Sequence, residues 1–160
     1  MEGIINYVAL GCLALTLILD IVALALPSWL TIQNVSFGLW KYCILLPTGE
    51  DKCDEYIVLQ AYLKATRALI ILGLLLMAAA IAMAVLKIFV MKDKKFLFLG
   101  ASASAISAGG LTLIGTIVYG VKAEEDYTKD AVLDAGFRLA VVAGVIPIVA
   151  GILFIIGRNK

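Results

Sequence analysis

Four long apolar stretches, separated by three polar breaks, organise this chain. The first covers residues 4–26, contains a single acid, Asp20, and stops at Pro27-Ser28. The second covers residues 65–90, opens on Arg67, closes on Lys87 and runs into the basic turn Lys92-Asp93-Lys94-Lys95. The third covers 96–120 and the fourth 137–157, with Arg158 and Lys160 behind it. A hydrocarbon layer ~30 Å thick takes about 20 apolar helical residues to cross, so each stretch predicts one membrane-spanning helix. Met1-Glu2-Gly3 carries no base and the first stretch exceeds a signal-peptide core of about 7–15 residues, so it reads as an uncleaved span. The fold class that follows is an all-α membrane protein: one domain over 1–160 with four spans, a turn at 91–95, and loops at 27–63 and 121–136.

The longer loop has a different pattern. Trp29 to Ile32 and Phe37 to Leu46 are rich in aromatic and β-branched residues, with Gln33-Asn34-Val35-Ser36 between them. This predicts a small antiparallel β-sheet in the first outer loop. The shorter loop holds Glu124, Glu125, Asp126, Asp130 and Asp134 against Lys122 and Lys129, and reads as polar helix extension or turn.

Composition supports a bilayer setting and narrows the chemistry. The 160 residues are 63% hydrophobic and 16% charged, whereas a soluble domain runs near half apolar and about a quarter charged. There is no histidine, which removes the commonest general base and metal ligand together. We therefore expect no enzyme activity, no cofactor and no metal. A basic stripe that could track phosphates is missing, so nucleic acid is not an expected partner. Membrane lipid is.

Sidedness rests on two signals. Lys92, Lys94 and Lys95 lie in the short turn and Arg158 and Lys160 lie at the same end, which puts both termini and the turn in the cytoplasm. The 27–63 loop holds Asn34-Val35-Ser36, an N-glycosylation triplet that works on the lumenal side, with Asn34 as the acceptor. It also holds Cys43 and Cys53, which flank the turn-forming Pro47-Thr48-Gly49-Glu50-Asp51. Their spacing suits a structural bridge rather than a redox centre, and a bridge closing so short a loop would stabilise it by ~3 kcal/mol in an oxidising compartment. Cys12 reads as a small core residue, and Lys41, Glu50, Asp51 and Lys52 as a solvated rim.

Within the spans, Ser104, Ala108, Thr112, Thr116 and Gly120 form one row of small residues and Ala101, Ala105 and Gly109 another, which predicts close packing inside the bundle. Pro147 between Gly144 and Gly151 should kink or loosen the fourth helix. Asp20 and Arg67 are the charges nearest the membrane interior. The expectation for Asp20 is a structural one, pairing or hydrogen bonding at the base of the loop.

Trp29, then Gly38-Leu39-Trp40, then Cys43 and Cys53 follow the pattern W…GLW-x2-C…C, and Leu59-Gln60-Ala61 through Ala65-Thr66-Arg67-Ala68 introduce the second span. In these features the chain resembles the claudin superfamily, which includes claudins, peripheral myelin protein, epithelial membrane proteins and the lens fibre membrane protein. The short spacing between the tryptophans is closer to the peripheral myelin and epithelial membrane branch. The resemblance implies a four-helix bundle carrying an outer antiparallel sheet, a Cys43–Cys53 disulfide joining two strands, Trp29, Gly38, Leu39 and Trp40 as anchors, and Arg67 beneath the sheet. It further implies a plasma-membrane protein of cell–cell contact or membrane organisation that self-associates in cis and in trans and meets other membrane proteins.

Three other roles share parts of this pattern. They are an auxiliary subunit of a channel or receptor, a cation-preferring paracellular pore component suggested by the acidic outer loops, and a thiol oxidoreductase, which would need a Cys-x-x-Cys pair. The Ala, Ile and Leu richness of the helices also fits a divergent or engineered member that keeps the scaffold without the parent's activity. The end Gly157-Arg158-Asn159-Lys160 offers no PDZ-type C-terminal motif and no cysteines for palmitoylation.

Overall fold

A computed structural model describes residues 2–127 and 130–158, with only the backbone of Glu2. Lys129 of the second outer loop and the Asn159-Lys160 end lie outside the described residues. Among the described residues there are four long helices: α1 (Glu2–Ala25), α2 (Ala61–Val85, continued by a π turn, Leu86–Val90), α3 (Phe96–Asp126) and α4 (Ala135–Arg158). All four are long and apolar enough to cross a membrane.

The helices are arranged as a ring in which α3 packs along both α2 and α4, α4 packs along α1, and α1 touches α2 least. Small side chains make up much of the bundle interior, beside a few large ones such as Leu13, Met77 and Phe154. Large apolar residues such as Ile18, Leu75, Phe89, Leu99 and Ile117 are exposed on the outside, while Ala101, Ala105, Ala108, Thr112 and Thr116 are buried. In hydrocarbon no hydrophobic force drives helices together, so close packing and interhelical hydrogen bonds must do so, and small residues permit both. A Cβ at Gly109 would lie 2.4 Å from the Gly144 carbonyl oxygen, and one at Gly73 would lie 2.9 Å from Thr112 Oγ1. Thr66 Oγ1 donates to Gly115 O at 3.2 Å, joining α2 to α3. Thus Ala108, Thr112, Thr116 and Gly120 of the first row and all of the second face inward, with Ser104 partly exposed. Pro147 is buried, and α4 runs through it as one helix.

At the end away from the 91–95 turn, termed outer after the sequence reading, the helices carry a five-stranded antiparallel sheet in the order β4-β3-β2-β1-β5, built from β1 (Leu30–Ile32), β2 (Val35–Phe37), β3 (Lys41–Leu45), β4 (Asp51–Glu55) and β5 (Ala131–Leu133). Three features differ from the sequence expectation. The second outer loop supplies β5, which pairs Leu133 with Leu30 and Ala131 with Ile32, so the sheet is not confined to the first loop. The Phe37 to Leu46 run is two strands, split where Gly38 presses on Pro27; a Cβ there would lie 2.6 Å from the Pro27 Cα. The hairpin turn is also tighter than the predicted Gln33 to Ser36 segment: Ile32 pairs with Val35, and Gln33 takes φ of 52°.

The spans are longer than their apolar stretches at the outer end. Helix α2 starts at Ala61 and α3 runs past Gly120 to Asp126, where Lys122 and Glu125 pair at 2.6 Å one turn apart. Such extensions are polar and stabilised locally.

The contact between α3 and α4 yields a test. Gly109→Leu should destabilise the bundle by about 1–3 kcal/mol through overpacking, read as a lower melting temperature in detergent. Gly110→Ala, where nothing lies within 4 Å of the added carbon, should not lower it, since alanine is the better helix former.

Candidate functional site

The sheet is held on the bundle at the outer end of α1. The last carbonyls of any helix lack intrahelical donors, and near a bilayer an unsatisfied one is costly. Here two indoles supply the donors: Trp29 Nε1–H donates to Ala23 O at 2.7 Å and Trp40 Nε1–H to Leu24 O at 2.9 Å. Leu26 N–H closes on Val22 O at 3.0 Å. The two tryptophans of the motif are therefore helix caps that reach back from the loop.

Their surroundings differ. Trp29 is fully buried, with Tyr119 edge-on at 5.1 Å and Phe137 at 6.3 Å. A Cβ on Gly136 would lie 2.5 Å from the Trp29 ring, so only glycine fits at the start of α4. Trp40 is partly exposed, and the Arg67 guanidinium carbon lies 4.4 Å from the centre of its ring, a cation–π contact. Arg67 donates through Nε to Leu39 O at 2.7 Å and through Nη2 to the same oxygen. Leu39 itself is fully buried. The backbone between the two tryptophans is thus held by α2.

The neighbouring strands are tied in the same manner. Tyr56 Oη–H donates to Gly38 O at 2.8 Å. Burial pushes the Tyr56 phenol above its ordinary ionisation range, so it stays a donor. Cys43 and Cys53 face each other across β3 and β4 and form the disulfide, with Cα atoms 4.0 Å apart. At the opposite edge, Asp134 Oδ2 accepts from Thr31 Oγ1 at 2.7 Å, while Oδ1 accepts from Ala135 N–H at 2.8 Å at the head of α4. Asp134 N–H also donates to Trp29 O at 2.9 Å, and Gly136 N–H to Ser28 O at 2.8 Å. One acid therefore joins β1, β5 and α4.

The other singled-out residues lie apart from this junction. Asp20 is fully buried in α1 and neither of its carboxyl oxygens has a hydrogen-bond partner among the described residues. This departs from the expected contact with the loop base, because the indole donors stop at Ala23 and Leu24 and Arg67 is engaged by Leu39. Asn34 is exposed in the β1–β2 turn, where its carbonyl accepts from Leu45 N–H at 2.8 Å. Lys41, Glu50, Asp51 and Lys52 are exposed, with a loose 3.9 Å approach of Lys52 to Asp54. Cys12 is a free thiol, half-buried against the helix core. Among the described residues no group of His, Cys, Asp or Glu could hold a metal ion. The junction's side chains converge on backbone carbonyls, an arrangement that fixes geometry. Sequence reasoning missed Tyr56, Asp134 and Gly136; an Asp ahead of an apolar run is an N-cap signal that marks Asp134.

Two variants probe the junction. Arg67→Ala leaves the Leu39 carbonyl unpaired and should cost about 1.5–3 kcal/mol, read as thermal stability in detergent. Cys43→Ser should cost ~3 kcal/mol and abolish the gel-mobility shift expected of the wild-type chain on reduction.

Comparison with known proteins bears on the whole chain. Claudin-1 of Rattus norvegicus is 28% identical over 128 residues, covering 68% of this chain and 61% of claudin-1, so the chain matches about three fifths of that relative's length. Claudin-3 of Homo sapiens is 36% identical over 77 residues, 40% of this chain and 35% of that protein. Epithelial membrane protein 3 of Rattus norvegicus is 26% identical over 150 residues and 91% of each chain is covered. The model of the PMP-22/EMP/MP20/Claudin family matches residues 4–154. That stretch takes in the sheet, the disulfide and the junction at the end of α1, and the chain belongs to the PMP-22/EMP/MP20/Claudin family.

Proposed function

We propose that this protein is a structural component of cell–cell contacts or of plasma-membrane organisation, acting through its sheet and through lateral self-association. The observation that supports this reading is that one sheet ties both outer loops into a single body seated on the bundle. Its far edge, β4, is exposed along its whole length, as is the tip at residues 46–50. A stiff platform with an exposed rim loses little conformational freedom on meeting a partner, which favours association.

In this reading the sheet is exoplasmic, where the disulfide forms and Asn34 can accept a glycan, and both termini and the 91–95 turn are cytoplasmic. Partners are further copies in the same membrane, copies on a facing membrane, and other membrane proteins. The role is architectural rather than catalytic. It is supported by the way Trp29, Trp40, Arg67 and Tyr56 spend their donors on backbone carbonyls.

Expression in non-adhesive cells tests this. Tagged protein should concentrate at borders between two expressing cells and make them cluster. Glu50→Lys with Asp51→Lys, at the exposed tip, should weaken clustering several-fold at equal surface delivery. An even surface distribution with no clustering, or steady co-purification with a pore-forming protein, would contradict the adhesive reading.

A further inference from the structure

The opposite end of the bundle carries an anomaly. The buried stripe of α2 runs Ile70, Gly73, Met77, Ala80 and Ala84, and its next place is Lys87. Steps of three and four residues put all of these on one face. The place that an apolar side chain would fill holds a lysine that is only 9% exposed as a whole residue. A lysine at the end of a span ordinarily extends along the outside of the bundle to water. Lys87 turns inward instead.

The backbone here is also irregular. Met91 N–H closes on Leu86 O at 2.7 Å, the wide bond of a π turn, and such turns recur at functional sites. Lys87 Nζ donates to Lys92 O and lies 5.4 Å from the centre of the Phe98 ring. An ammonium has three donors, so two remain.

Lys87 forms part of the wall of a cavity of about 340 Å³, together with Gly3, Asn6 and Tyr7 of α1, Lys92 of the turn and Phe98 of α3. That volume lies at the small end of ligand sites. Asn6 buries Oδ1 against the Gly157 position, without a hydrogen-bond partner among the described residues. The cavity borders lipid-facing surface: Tyr7 stacks edge-on with Phe89 at 6.2 Å, and Tyr7, Phe89, Val90 and Phe96 are exposed. One inward amine, a second lysine in the wall and apolar surface beside them suit an amphiphile with an anionic head. Lys94 and Lys95, both exposed in the same turn, add attraction for an anionic membrane surface.

We propose that this cavity binds the phosphorylated headgroup of an anionic membrane lipid, with Lys87 and Lys92 on the phosphate and the acyl chains along Tyr7 and Phe89. Basic pockets between spans are a recurring way to hold such headgroups. A soluble phosphate would have no use for the apolar border.

The test is native mass spectrometry of the purified full chain with phosphatidylinositol 4-phosphate, and with phosphatidylcholine as the zwitterionic comparison. Lys87→Met, which keeps the stripe apolar, and Lys92→Gln, which lies in the exposed turn and spares the core, should each lower bound phosphatidylinositol 4-phosphate about fivefold, the loss expected for one lysine contact near a membrane surface. Lys95→Gln, outside the cavity wall, should lower the signal clearly less than either of these, and phosphatidylcholine should bind weakly throughout. If Lys87→Met does not fold, Lys92→Gln carries the test alone. Undiminished binding in the variants, or equal binding of phosphatidylcholine, would overturn the proposal. So would an equal loss in Lys95→Gln, which would mean a diffuse basic surface. Inorganic phosphate that raises the melting temperature as much as the lipid would overturn the lipid source.

Discussion

A helix that ends at a bilayer surface must find donors for its last carbonyls, and the outer end of α1 finds them in two indoles. Trp29 and Trp40 come from different parts of the following loop, so satisfying Ala23 and Leu24 draws the loop back over the end of the helix. The chain between the two indoles becomes a hairpin, and Leu39 is presented with its carbonyl facing α2. Arg67 takes that carbonyl and stacks on Trp40. Tyr56 then takes the carbonyl of Gly38. Each bond is modest alone, about 0.5–1.5 kcal/mol net, or about 1.5–3 where a charge is involved. Together they give the sheet one orientation.

The bundle supports this junction from below by an interior rich in small side chains. Glycine, alanine and threonine make up much of the seams among α2, α3 and α4, with a few large side chains such as Ile70, Met77 and Phe154 between them, and many bulky aliphatic residues face outward. The seams bring the outer ends of α3 and α4 close enough for Tyr119 and Phe137 to enclose Trp29. Gly136 lets α4 begin directly against that ring. The second outer loop then has only a short distance to cover, and its three-residue strand completes the sheet beside β1.

How far all this is legible in the amino-acid sequence depends on how strongly each feature departs from background. Four apolar stretches specify four spans, and the small-residue rows of the third identify its inward faces. The combination of Trp29, Gly38, Leu39, Trp40 and the cysteine pair marks the loop, because no single residue carries the signal. By contrast, Ala131 to Leu133 is too short to show alternation and is flanked by acids, so β5 is hidden until β1 offers it an edge. The outer extension of α3 is polar and outside the hydropathy pattern, so composition indicates helix extension or turn there but not that the helix reaches Asp126. Asp20 looked like a partner for the loop base, but the donors there are consumed by carbonyls one turn nearer the surface. Lys87 closed an apolar stretch as an ordinary flanking base would, and only the packed helices show that it lies on the buried stripe.

The central claim is that the seating of the sheet on the bundle depends first on the two indole bonds to the end of α1. Hydrogen–deuterium exchange on the purified chain, comparing wild type with a variant carrying both Trp29→Phe and Trp40→Phe, tests it most directly. Phenylalanine keeps apolar bulk and removes the donors. The account predicts that amides of β1, β2, β3 and β5 lose protection together while the interior of α3 exchanges as before. Unchanged protection across the sheet would contradict it, since the sheet would then be held by the disulfide and strand pairing without the helix caps.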